Sequence, residues 1–231
     1  MTMLFKEPVQ ATPEQNDWLE RRGWVYELLM DFLSRPPRMS LIAQWRQRAE
    51  LTHRIPNSRG GKRLKSYLES IPERHFRSAC HQEAEEYRRL FLGDQSMLIP
   101  CEGTFRAKRD GANAAACISH IRSMYADSGV VFNKLTGERD DHIAMELEFM
   151  AVMAEGMRSK ADVSHMRHSC MEMADTQIRF LEVHLLKWAP RLAEELIRAT
   201  KSPLYSGLAE LLREFLADDL DQLRQWRAHI S

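Results

Sequence analysis

The sequence predicts an all-α fold. Apolar residues recur three and four positions apart along almost the whole chain, the interval that lines one face of a helix. No run of β-branched residues alternates with polar ones over more than a few positions, as a half-buried strand would. At 231 residues the chain is long for one average domain and short for two, so a single multi-helix domain with two lobes is expected.

In the first helix Trp18, Val25, Leu28, Leu29, Phe32 and Leu33 form a broad stripe. Arg-Pro-Pro at 35–37 ends it, because proline lacks an amide proton and restricts the residue before it. A second helix is expected from about Ser40 to Leu51, and THRIPNSRGGKR at 52–63 has the composition of a loop. Helical patterning resumes near Leu64 and again from about Glu73 through Leu92, where Gly93 suits a left-handed cap. DQSMLIPCEGT at 94–104 reads as a long loop before a helix containing Ala114 to Tyr125, and a connection that long and apolar points to function. DSGVVFNKLTGERD at 127–140 is a second long connection, read as a hinge between an N-terminal lobe of about 1–126 and a C-terminal lobe of about 141–231. Beyond it Ile143, Leu147, Met150, Met153 and Met157 share one face. Ile178, Leu181, Leu185, Trp188, Leu192 and Leu196 share another, with Pro190 expected to bend or break that run. Leu204 to Trp226 makes a final amphipathic helix.

Lys plus Arg and Asp plus Glu stand at 33 each, which removes the basic surplus that a nucleic-acid binder needs, so no nucleic-acid partner is expected. No apolar run is long enough to span a bilayer, so no membrane insertion is expected either. RRGWVYELLMDFL at 21–33 begins as an export signal would, but Glu27 and Asp31 interrupt it, and it reads as a core helix. Cys80, Cys101, Cys117 and Cys170 show no CxxC spacing and read as reduced thiols of a cytoplasmic protein.

Catalytic and metal motifs are incomplete. One Glu-x-x-His spacing, Glu50 to His53, cannot close a di-iron site that needs two. His165, His168 and Cys170 do not all project to one side of a helix. GxxxxGK[ST], a strand-anchored GxGxxG and GxSxG are all missing, and RGGKR at 59–63 reads as a flexible loop. No metal, cofactor or catalytic residue is therefore expected. The second half is rich in methionine, which fills core gaps and also lines adaptable peptide-binding surfaces.

GERDDHIAMELEFM at 137–150 concentrates charge. Asp140 or Asp141 is expected to cap a helix, with Glu146 and Glu148 complementing its dipole. Glu138, Asp140, Asp141, Glu146 and Glu148 face only Arg139, so a local negative patch is expected beside an apolar groove, an arrangement suited to a ligand basic at one end and apolar along its length.

Several stretches resemble the TorD/DmsD family of redox-enzyme maturation chaperones, grouped with the NarJ-like delta proteins. EYRRLFLG at 86–93 followed by PCEGTF at 100–105 is similar to that family's aromatic, Leu-Phe, glycine and proline-led loop. ERDDHIAMELEFM resembles its Pro-Asp-His-Ile hinge and ELxFM helix, FLEVHLLKWAPRLAEEL at 180–196 its C-terminal helix, and RRGWVYELLMDFLSRPP its opening helix. Asp140 stands where the family usually has proline, and Cys101 where members commonly place Tyr or Trp.

The resemblance implies a cytoplasmic, all-helical chaperone of the TorD type without catalytic activity. Such a protein binds the twin-arginine signal peptide and apo form of a molybdenum-containing oxidoreductase, assists cofactor insertion and delays export until folding is complete. Carried onto matching positions, the signal-peptide site would involve Tyr87, Leu90, Phe91, Pro100, Gly103, Asp141 and His142, with Glu146 added one turn after His142. A monomer and a homodimer that swaps halves about 127–140 are both compatible with this reading. A helical metal- or nucleotide-dependent enzyme and a structural subunit of an oxidoreductase are the alternatives.

Overall fold

The computed structural model describes residues 12–51, 55–93, 95–132, 138–161, 163 and 166–230. These form α-helices α1 (Pro13–Ser34), α2 (Met39–Leu51), α3 (Arg59–Ser70), α4 (Phe76–Phe91), α5 (Glu102–Asp110), α6 (Ala114–Asp127), α7 (Ile143–Ala161), α8 (Arg167–Phe180), α9 (Leu186–Ala199) and α10 (Pro203–His229). Among the described residues there is no strand, and the one extended pairing is an isolated antiparallel bridge between Cys101 and His142. The all-α expectation holds. His53, His165 and the middle of the expected hinge, 133–137, lie outside the described residues.

Local chemistry sets the helix ends. Thr12 and Gln15 form a reciprocal capping box at the start of α1, with Pro13 in the first helical position. At α10 the Ser202 hydroxyl accepts from the Leu204 and Tyr205 amides, and Pro203 holds the first helical position. Gly93 takes the expected left-handed conformation just past α4, at φ 82°.

One buried hydrophobic cluster runs from Trp18 to Ile230, with α1 packed along α7 and α10 packed on α3 and α9. Within it Arg22 is fully buried. Its guanidinium donates to both carboxylate oxygens of Asp219 at 2.8 Å and to Gln177 at 2.7 Å, while the Tyr26 hydroxyl donates to the same carboxylate at 2.6 Å. A charge buried at this depth is tolerable only because it is paired and its hydrogen bonds are met. The pairing ties α1 to α8 and α10.

Three sequence expectations change. α3 begins at Arg59, inside the expected loop 52–63, because Ser58 caps it and Gly60 lets it touch α10. A Cβ on Gly60 would stand 2.2 Å from the Leu211 amide nitrogen, so the glycines that suggested a loop serve close helix packing instead. α5 occupies 102–110, where no helix was expected; it is nine residues long and closes on Gly111 at φ 69°. Pro190 does not break its run. A π-helical turn at Leu181–Leu185 joins α8 to α9, and Pro190 sits inside α9 one turn later.

Candidate functional site

Residues 100–103 and 141–143, far apart in sequence, are hydrogen-bonded to one another. Ile143 donates its amide to the Pro100 carbonyl and Glu102 its amide to the Asp141 carbonyl, both at 2.8 Å. The Gly103 amide donates to Asp141 Oδ2 at 2.9 Å, and Arg139 donates to both Asp141 oxygens at 2.9 Å. Gly103 suits this close approach, since a Cβ there would lie 3.0 Å from Asp141 Oδ2 and 3.0 Å from the Ala114 carbonyl and would press on both.

The cap of α7 differs from the expectation. His142 Nδ1 accepts from the Ala144 amide at 3.2 Å, and the His142 carbonyl accepts from Met145 and Glu146. Burial holds the imidazole below its ordinary pKa, which keeps Nδ1 free of a proton and able to accept. Asp140 instead receives Arg122 at 2.5 Å, and its carbonyl accepts from Tyr125.

Behind this junction lies a buried polar network. Glu102 accepts from His184 Nδ1 at 2.8 Å and from Arg106 at 2.5 Å, and His184 Nε2 is 2.8 Å from His120 Nδ1. Trp188 donates to Glu146 Oε2 at 3.1 Å, while Glu146 Oε1 is sealed with no donor facing it. Burial, then the adjacent Glu102, raises Glu146 well above the ordinary carboxylate range. Both causes favour the protonated form, in which Glu146 is itself a donor toward Glu102. Glu102, Cys117 and His184 bring three metal-type ligand atoms within 4.8 Å of one another. Burial followed by the Glu102 charge pushes the Cys117 thiol up to about 12, and both His184 ring nitrogens are engaged. The trio acts as a closed structural network that fixes α5 against α6 and the α8–α9 junction. Local spacing could not reveal it, because Glu102 and His184 are separated by 82 positions. The signal was present only as the separate stretches PCEGTF and FLEVHLLKW.

Most of the predicted site residues are buried. Tyr87, Leu90 and Phe91 belong to the core; the Tyr87 and Phe91 rings meet that of Tyr205 at an angle, and the Tyr87 hydroxyl donates to the Leu33 carbonyl. Gly103, Asp141 and Glu146 are buried; Pro100 and His142 are half-buried. Of the expected acidic patch, Asp140, Asp141 and Glu146 are sealed, and Glu138 and Glu148 remain half-exposed. An open rim built on Asp141 and Glu146 is thus corrected. The first is neutralised by Arg139, and the second is needed inside by Trp188 and Glu102.

The combination of an apolar floor and an acidic rim is found next door. A groove of about 610 Å³ runs between α1 and α7, floored by Leu19, Trp24, Met30, Ala151 and Val152. Glu20, Glu27, Glu148 and Glu155 border it; Arg158 pairs with Glu155 at 2.7 Å, and Arg48 of α2 pairs with Glu27 at 3.0 Å and lies over the Trp24 ring. Val152 is 45 % exposed in its wall, and Gly23 leaves open space where a side chain would intrude. Burial and then the charge of Glu138 raise the pKa of Glu148, so the groove's end and the 138–142 junction sense each other electrostatically. A cation placed there relieves that repulsion. The signal in sequence was a second stripe on the opening helix, with Glu20, Trp24 and Glu27 at helical spacing outside the core stripe.

Comparison with known proteins agrees with this architecture. The family described as "Nitrate reductase delta subunit" matches residues 58–194. A chaperone protein TorD of Vibrio cholerae serotype O1 is 26% identical over 171 residues, covering 71% of this chain and 74% of that protein. A perchlorate reductase assembly chaperone protein of Dechloromonas aromatica is 22% identical over 142 residues, covering 60% of this chain and 62% of that protein. A chaperone protein TorD of Vibrio parahaemolyticus is 27% identical over 95 residues, 41% of this chain and 42% of that one.

Proposed function

Because this chain belongs to the nitrate reductase delta subunit family, we propose that it is a cytoplasmic maturation chaperone, without catalytic activity, for a molybdenum-containing oxidoreductase. It binds that enzyme's twin-arginine signal peptide and apo form, holds the apo form for cofactor insertion and delays export until folding is complete. The relatives named as chaperones support the general role. The groove between α1 and α7 is the observation that carries the peptide-binding part, since a twin-arginine signal joins two cations to an apolar run and the groove joins carboxylates to an apolar floor.

The affinities divide accordingly. A fully buried Leu or Phe contributes about 1.5–3 kcal/mol, whereas an exposed ion pair contributes about 0–1 kcal/mol. Trp24, Met30 and Val152 supply binding strength, and Glu148 and the nearby Glu138 set peptide direction. The buried junction of 100–103 with 141–143 anchors the start of α7 and so positions its groove face. Calorimetric titration with a twin-arginine signal peptide tests the reading. Val152→Asp is expected to abolish measurable binding and Glu148→Gln to weaken it severalfold, both with an unchanged melting temperature. Equal affinity of the wild type and Val152→Asp would overturn the assignment.

A further inference from the structure

Many exposed arginines of this charge-balanced chain meet a carboxylate: Arg21 with Asp17, Arg63 with Glu210, Arg109 with Glu195, Arg191 with Asp110 and Arg227 with Asp175. Arg35, Arg38, Arg74 and Arg77 are exposed and form no ion pair among the described residues; Asp31 senses the charge of Arg35 only at longer range. All four line one groove of about 1040 Å³, between the α1–α2 connection and the outer face of α4. Glu85 is the one acidic side chain in its lining, and Arg88 already occupies it. The groove's surface is also apolar, with Pro36, Pro37, Cys80 and Ala84 beside a Met39 side chain that is 52 % exposed. The N-terminal ends of α2 and α4 border it, at Met39 and Arg77, and α4 has no side-chain cap. Helix N-termini carry positive partial charge, which adds to that of the guanidiniums.

Clustered cations without partners repel one another, and their mutual field favours an anion that brings several negative charges at once. Guanidinium forks match carboxylates in a bidentate manner. We propose that this groove docks an acidic, partly apolar segment of a partner protein. The segment sets Asp or Glu side chains against Arg38, Arg74 and Arg77 and lays apolar side chains over Met39 and the Pro36–Pro37 edge. A twin-arginine peptide is repelled here, so the groove does not duplicate the one between α1 and α7, and this inference does not rest on the signal-peptide role. An inorganic phosphate group, though attracted by the arginines, leaves the apolar floor and most of the volume uncovered.

The test is fluorescence anisotropy with the full chain and a fluorescein-labelled peptide in which glutamates alternate with leucines, at low salt. Controls are the same peptide with serine for leucine, one with lysine for glutamate, and pyrophosphate as a competitor. The Glu–Leu peptide is expected to bind, and Arg38→Glu with Arg77→Glu to weaken it about tenfold or more, since two attractions become repulsions. Arg38→Gln with Arg77→Gln is expected to produce a smaller loss in the same direction. Both positions are exposed, so a circular-dichroism melt should coincide with that of the wild type. The inference is overturned if wild-type protein does not bind the Glu–Leu peptide, or if both double variants bind it as the wild type does. It is also overturned if the Glu–Ser peptide or pyrophosphate binds as tightly as the Glu–Leu peptide, because the site would then be only an anion attractor.

Discussion

The amide of Gly103 donates to the carboxylate of Asp141 at 2.9 Å, a buried bond across 38 positions of sequence that fastens the start of α5 to the start of α7. Asp141 is therefore a structural anion. Asp141→Ala leaves that amide and the Arg139 fork unmet, at a cost of about 1–3 kcal/mol for a buried group stripped of its partner. Urea unfolding should show a lower midpoint for Asp141→Ala and a smaller loss for Asp141→Asn. An unchanged midpoint in Asp141→Ala would return this residue to a surface role.

Glu146 gives the protein a pH dependence of definite sign. In the unfolded chain its carboxyl loses a proton near the ordinary value of 4.5, whereas in the fold burial and Glu102 keep the proton bound to much higher pH. Between those points the folded state binds more protons, so the contribution of this group to stability falls as pH rises. Glu146→Gln keeps an acceptor for Trp188 and a permanent donor for Glu102. Its melting temperature should fall less than that of the wild type as pH is raised from 5 toward 8, and parallel curves would contradict the assignment.

Partial burial disfavours the thiolates of Cys101 and Cys117. Cys101 is pushed up to about 12 by burial and then by the charge of Asp141, and Cys117 to about 12 by burial and then by Glu102. Since the thiolate is the reacting species, native protein at pH 7.5 should react with iodoacetamide at both positions far more slowly than urea-unfolded protein. Equal rates, read by mass spectrometry of the peptides, would refute this half-buried placement.

The Arg22–Asp219 pair is the most exposed to mutation in energetic terms. Removing one partner of a buried pair costs about 3–5 kcal/mol because the other charge stays uncompensated. Arg22→Met should lower the unfolding free energy by that order, and Arg22→Met combined with Asp219→Leu should recover part of it.

The helices were legible wherever an apolar stripe and a stop signal coincided, as in α1 with Arg-Pro-Pro at 35–37 or α4 with Gly93. The start of α3 was not, because glycine marks both turns and close helix contacts, and only the Leu211 backbone beside Gly60 decides between them. α5 was hidden because its nine residues are too few to display a repeating stripe. At the site, motif resemblance named Pro100, Gly103, Asp141 and His142 together, but not which carboxylates face outward. Acidic residues at 138, 140, 141, 146 and 148 look alike in sequence, and their exposure is set by Arg139, Arg122 and Trp188. The acidic groove escaped notice because half of it lies on α1, more than a hundred residues from Glu148.

The central claim is that the groove between α1 and α7 receives the peptide. It is tested most directly by photocrosslinking with a twin-arginine signal peptide that carries a benzophenone in its apolar stretch, followed by mass-spectrometric mapping. Adducts on Met30, Ala151 or Val152 are the predicted result. Adducts confined to the Arg38–Arg77 groove, or to surfaces away from both α1 and α7, would contradict it.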